Sequence, residues 1–260
     1  MKNSSPEKPA WGHFSPSALC QIIKLLTASG LARGKLTHKI YQLWLKFHGE
    51  NIDASVRGIR YRLNINDNIT DKKILCSSRI YDQAELYFLK EVCHESAFVD
   101  AGANIGYYSL FLAKTGAKTV LSVEPNPRTI ERLRFNIAAN DFGNVIKIES
   151  SGIGELGESF FNSNIDLGCA SIVADQENEN FIKIKTKPLL QIVQEHGLQE
   201  ISGMKIDIEG HEDRALIPFF QHAHEKQWQL NLNKVLTENG YNIFRKTRAN
   251  TLLKLLFKHT

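Results

Sequence analysis

The sequence lacks any apolar run approaching the ~20 residues that a membrane-spanning helix needs, so no helical span is expected. Residues Met1 to Pro16 are polar, carry Pro6, Pro9 and Pro16, and hold no apolar core of a secretory leader. They read as a disordered tail, and the expected location is cytoplasmic. Cysteine is scarce: Cys20, Cys76, Cys93 and Cys169 stand far apart and form no C-x-x-C pair. That spacing argues against zinc and for buried or free thiols in a reducing compartment. Neither charge sign dominates, since 32 Lys and Arg stand against 28 Asp and Glu for a net +4. So mild an excess permits anionic partners without requiring nucleic acid. A stripe of basic residues interleaved with stacking aromatics is also missing, which removes a nucleic-acid strand as the expected partner. There is no internal repeat and no low-complexity tract.

What is there suits an enzyme-sized α/β domain with an extension before it. The 260 residues are 42% hydrophobic and 23% charged, ordinary values for a packed domain. Leu19, Ile22, Ile23, Leu25 and Leu26 predict one helix from Ser17 to Gly30. Ile40, Leu43, Trp44 and Phe47 predict a second over 35–47, with Lys35, Lys39 and Lys46 opposite. Two helices packed on the protein are the expectation, with peripheral contact to a membrane surface as the alternative. Val56 to Ile65 alternates as one strand carrying Arg57, Arg60 and Arg62, a solvated face or an anion-binding one. Ile74 to Cys76 reads as a second strand and Ile80 to Val92 as a helix.

The densest signal is Phe98-Val99-Asp100-Ala101-Gly102-Ala103-Asn104-Ile105-Gly106, followed by Val123-Glu124-Pro125-Asn126-Pro127. It reads as buried strand, glycine bend, helix, second strand, acidic end. In an open α/β sheet, ligands bind at the carboxyl ends of the strands, where Asp100 and Glu124 both fall. A dinucleotide site needs G-x-G-x-x-G, so that a helix N-terminus can hold pyrophosphate. The spacing Gly102 to Gly106 does not match, and Asp100 beside the bend would repel phosphate. S-adenosylmethionine has no phosphate; it carries an ammonium, a sulfonium and a ribose diol. Asp100 suits its positive end, and Glu124 can accept from the ribose hydroxyls. Gly102 and Gly106 allow close backbone approach, with Asn104 and Asn126 alongside.

Those two stretches, with Met204-Lys205-Ile206-Asp207-Ile208-Glu209-Gly210-His211-Glu212, resemble the FkbM-type methyltransferases over about Asn51 to Phe244. The resemblance implies a class I, Rossmann-like α/β sheet with helices on both faces. It also implies methyl transfer from S-adenosyl-L-methionine to a hydroxyl of a sugar, a glycan or a secondary metabolite. The expected organisation is a tail over 1–16, a helical and β extension over 17–95, and the methyltransferase domain over 96–260.

Further along, Thr129 to Asn140 reads as a helix and Val145 to Ile148 as a third strand. After it, Ser150 or Ser151 could hydrogen-bond an adenine or cap a turn; Ser151 is the choice for the cofactor. A hairpin is expected from Glu158–Asn162 and Ala170–Val173 around a loop at Asn164–Gly168, and a helix from Thr186 to His196.

An alcohol is a weak nucleophile at neutral pH, so a base commonly takes its proton. Asp207, Glu209 and His211 are the candidate catalytic residues, His211 having the best reference pKa. Asp207 and Glu209 with waters could hold a divalent cation such as magnesium, but a metal-free site is the expectation. Lys205 reads as a residue bordering the sheet. Glu212 to Phe220 and Leu230 to Glu238 read as helices, and only the polar segment 222–228 lies between them. It is too short for a buried strand with its connections. Either the two helices fuse or the sheet lacks its fifth strand; the second is the expectation, leaving an exposed sheet edge and reduced activity or stability. The alternative function is a methyltransferase-fold binding protein without turnover. The basic stretch 245–260, with its leucines, is expected to close the sheet as a strand or helix, with an amphipathic membrane-surface tail as the alternative.

Overall fold

Arg57 and Gly58 both adopt positive φ, 53° and 71°, the mark of a two-residue hairpin turn. The strand expected at 56–65 therefore begins in this turn and is ordered as a strand only from Ile59, with a further strand preceding the turn. A computed structural model describes residues 9–18, 21, 35–77, 81–162, 172–173, 181–208, 215–216, 218–219, 242–246 and 251–254. The chain divides into two compact units, Met1–Tyr81 and Asp82–Thr260.

The first unit contains α1 (Lys35–His48), β1 (Asn51–Val56), β2 (Ile59–Asn64) and α2 (Ile69–Ser77). Ile74 to Cys76, expected as a strand, lies inside α2, because so short an apolar run fits either period. Asp53 and Arg62 face each other across the β1–β2 ladder and pair at 2.8 and 2.9 Å, both buried. The remaining Arg62 donors reach the carbonyls of Pro9 (2.7 Å) and Ala10 (2.9 Å), while the N–H groups of Gly12 and Phe14 donate to Asp53 Oδ2. Burial raises the Asp53 carboxyl, but Arg62 and these N–H groups outweigh it and hold it below its ordinary value. Two expectations change as a result. Residues 9–14 form a turn held by the hairpin rather than part of a loose tail, and Arg62 is a buried partner rather than a solvated face. The helix expected at 17–30 lies largely outside the described residues.

The second unit begins with α3 (Gln83–Cys93), so the boundary expected near residue 95 falls at 81/82. Then come β3 (Ala97–Ala101), α4 (Tyr107–Lys114), β4 (Thr119–Val123), α5 (Pro127–Ala139), β5 (Ile146–Glu149), β6 (Gly152–Ile153), β7 (Gly157–Asn162), β8 (Ile172–Val173), β9 (Phe181–Lys187), α6 (Leu189–Glu195), β10 (Gly203–Ile206), β11 (Asn242–Lys246) and β12 (Thr251–Lys254). The main sheet has the order β11-β12-β10-β3-β4-β5 among the described residues. β10, β3, β4 and β5 run parallel, and β12 runs antiparallel against β10. A smaller sheet has the order β6-β9-β7-β8. The expected hairpin is its β7–β8 pair, with Phe160 opposite Val173 and Phe161 opposite Ile172.

Side-chain alternation assigns the two faces of the main sheet. Val99, Ala101, Leu121, Val123, Met204 and Ile206 form one core with Leu189, Ile192 and Val193 of α6. On the opposite face Asp100 bonds Ser109 of α4, and Gly203 lies against Cys93 and Leu89 of α3. Helices therefore cover both faces of a largely parallel sheet. Its β10 edge, expected to be open, is covered: Gly203 pairs with Lys254 and Met204 with Leu253. The segments 222–228 and 230–238 lie outside the described residues; of the helix expected at 212–220, residues 215–216 and 218–219 are helical.

Candidate active site

Strand β3 delivers the chain into the glycine bend, where the N–H groups of Gly102 and Ala103 both donate to the Val123 carbonyl at 2.9 and 3.0 Å. This ties the bend to the end of β4. Gly102 has φ +76°, and a Cβ built there would overlap the carbonyl oxygen of Asp207. Only glycine lets the loop after β10 approach so closely. Gly106 has φ +93°, and its missing Cβ leaves room for Leu133 of α5, whose Cδ1 would lie 2.6 Å away. Asn104 is also left-handed at φ 51°.

Glu124 ends β4 and is buried. Its Oε2 accepts from the N–H of Asn104 and its Oε1 from the N–H of Asn126, each at 2.9 Å. Burial pushes the carboxyl up to about 7 against the pull of those N–H groups. Asn126 is the N-cap of α5: its Oδ1 accepts from the Arg128 N–H at 3.0 Å, with Pro127 behind it in the first turn. At the end of β5, Glu149 accepts from the Ser151 N–H (3.1 Å) and from Lys187 (3.4 Å), and its Oε2 lies 3.2 Å from His196 Nε2. Burial raises the Glu149 carboxyl, but these contacts prevail and hold it below its ordinary value.

Asp100 is wholly buried. Its Oδ2 accepts from the Ser109 N–H (3.1 Å) and hydroxyl (2.6 Å), and that hydroxyl lies 2.7 Å from Ser122 Oγ. Burial raises its pKa, which Lys205 and Ser109 counter. Asp100 is thus engaged by α4, and its reach toward a ligand is confined to Oδ1. Asp207 follows β10; its N–H donates to Ala101 O at 3.0 Å, and its side chain is 41% exposed.

The bend, Glu124, Asn126, Asp100 and Asp207 therefore meet at the carboxyl ends of neighbouring parallel strands, with Ser151 following β5. Glu209 and His211 lie outside the described residues. No group of three His, Cys, Asp or Glu suited to a metal occurs among the described residues, nor is any helix among them long and apolar enough to cross a membrane. The donor set suits S-adenosylmethionine. Asp100 Oδ1, Asn126 Nδ2 and Ser151 Oγ are buried polar atoms without a hydrogen-bond partner, a costly state unless something else satisfies them. Glu124 still has lone pairs to offer. Lys205, expected only to border the sheet, is buried with its Nζ 3.0 Å from the Gly102 carbonyl, and the pair Ser109 and Ser122 was not singled out from the sequence. The missed signal was register: Lys205 stands opposite Asp100, and Asp100 opposite Ser122.

Residues 100–253 match the family model described as the methyltransferase FkbM domain. A methyltransferase of Sordaria araneosa, sdnD, is 26% identical over 172 residues, 53% of this chain and 64% of that protein. A ribosomal protein L11 methyltransferase of Clostridium botulinum is 28% identical over 115 residues, 44% of this chain and 34% of that one. The chain thus spans less than two thirds of either relative. Among solved structures, a SAM-dependent methyltransferase from Agrobacterium tumefaciens aligns at 15% identity with a TM-score of 0.32, covering 40% of this chain and 33% of that one.

Proposed function

The chain belongs to the FkbM methyltransferase family, and from that premise we propose that it transfers a methyl group from S-adenosylmethionine to a hydroxyl of a sugar, glycan or secondary metabolite. The observation that carries this reading is Glu124, a buried carboxylate clamped by the N–H groups of Asn104 and Asn126 beside a glycine bend. When bound, the cofactor supplies an electrophilic methyl on a positively charged sulfur. Glu124 would accept from the ribose hydroxyls, and Gly102 and Gly106 would admit the cofactor against the backbone. Asn104 and Asn126 would line that pocket, and Ser151 would meet the base. Asp100 would act from behind the bend on the positive methionyl end. On the acceptor side the half-exposed Asp207, with Glu209 and His211, would orient the hydroxyl and take its proton.

A second reading, a binding protein without turnover, draws on one observation. In the described sheet β12 pairs directly with β10, at the position beside β10 where the resemblance implies a fifth strand. Calorimetry with S-adenosylhomocysteine and with NAD, followed by assay of S-adenosylhomocysteine release over a panel of hydroxylated acceptors, separates the readings. Binding with turnover is the expected result. Binding without turnover on any acceptor favours the second reading, and binding of NAD alone overturns both.

A further inference from the structure

Lys205, Asp100 and Ser122 stand opposite one another on β10, β3 and β4. Ser109 of α4 joins them through Asp100 and Ser122. Interior positions of a parallel sheet are ordinarily apolar, and a charge among them is costly unless paired. Lys205 is 6% exposed. Its Nζ donates to Gly102 O at 3.0 Å and lies 3.3 Å from Asp207 Oδ2. The same atom sits 3.9 Å from Asp100 Oδ1, which has no hydrogen-bond partner, and 5.5 Å from the centre of the Tyr108 ring. One ammonium thus reaches the glycine bend, the carboxylate before it and the carboxylate after β10. A brace alone would need no charge here, since aliphatic side chains hold such sheets together.

We propose that Lys205 is a positioning residue that ties the bend to Asp207, offsets Asp100, and so lowers the crevice's preference for a positively charged sulfonium over the neutral thioether left after methyl transfer. The inference rests on the methyl-donor reading above. S-adenosylmethionine and S-adenosylhomocysteine differ by one methyl and one positive charge. Buried charges are weakly screened, so the field of Lys205 acts directly on that difference. Asp100 and Asp207 pull the other way, as does Glu124 in its ionised form. A cation beside three acids stops the crevice from holding the charged donor too firmly in its ground state, where uniform tightness adds nothing to the rate.

The test is calorimetric titration of the full chain with S-adenosylmethionine and with S-adenosylhomocysteine, reading the ratio of the two affinities. Lys205→Met is expected to move that ratio about tenfold toward S-adenosylmethionine, equivalent to about 1.4 kcal/mol. Lys205→Arg keeps the charge and stays within about twofold of wild type. Asp100→Asn moves the ratio the opposite way, and the double variant returns near the starting value. A purely structural Lys205 would weaken both ligands together and leave the ratio unchanged, which overturns the proposal. If Lys205→Met does not fold, Asp100→Asn against the double variant, where no lone charge is buried, decides on the same ratio. Wild type that binds neither ligand defeats the methyl-donor reading itself; wild type that binds both with an unmoved ratio defeats only Lys205.

Discussion

Glu124 has a carboxyl pushed up to about 7 from 4.5, and the sign of its effect on stability follows. Between those values the folded chain keeps a proton that the unfolded chain has released. Stability is therefore greatest below pH 4.5 and falls as pH rises through 7, by about 3 kcal/mol for this group. Urea unfolding of wild type and Glu124→Gln from pH 4.5 to 8 should show wild type losing that much relative to the variant; parallel curves would refute it. Gly102→Ala faces a different penalty, a positive φ and the Asp207 carbonyl in the space of the new Cβ. A loss of about 2–4 kcal/mol is expected, with S-adenosylhomocysteine binding abolished in a titration of the folded fraction. The bend was legible in the sequence because its signal is local: glycines, an acid and a hydrophobic run in one stretch. Lys205 was not legible, because its meaning depends on which residue of another strand stands opposite it.

At the scale of elements, parallel strands announced themselves as short apolar runs ending in Asp100 and Glu124. The misreadings have separate causes. The strand expected at 56–65 takes in the turn at Arg57 and Gly58, where the alternation changes phase between Val56 and Ile59, and β1 before it lies outside that expectation. β9 was missed and Thr186 assigned to a helix, although Lys183 and Lys185 alternate with the buried Ile184 and Thr186. The closing hairpin of β11 and β12 was expected only as some element packed on the sheet; no local pattern could say that it borders β10. That border gives a prediction. Leu253 pairs with both Met204 and Ile243, so Leu253→Pro puts a residue without an N–H in the middle of a ladder. The expected cost is about 3 kcal/mol, read as a lowered urea midpoint with an unchanged m-value.

Over the whole molecule, the described site residues, from Asp100 to Asp207, belong to the second unit, which begins at Asp82. Residues 82–260 expressed alone should bind S-adenosylhomocysteine within about threefold of the full chain, as measured by calorimetry; a larger loss would assign the first unit a part in the cofactor site. The contact between Gly102 and the Asp207 carbonyl has a consequence for recombination among relatives. On the proposed function, cofactor pocket and acceptor loop share a partition one carbonyl thick, so a chimera with its crossover at Ile206 would graft a foreign loop directly onto the native bend. Such hybrids should succeed only when the donor presents its main chain at the same height, and acceptor specificity in this fold should be exchanged as a block running from the bend through the loop, not as a loop alone.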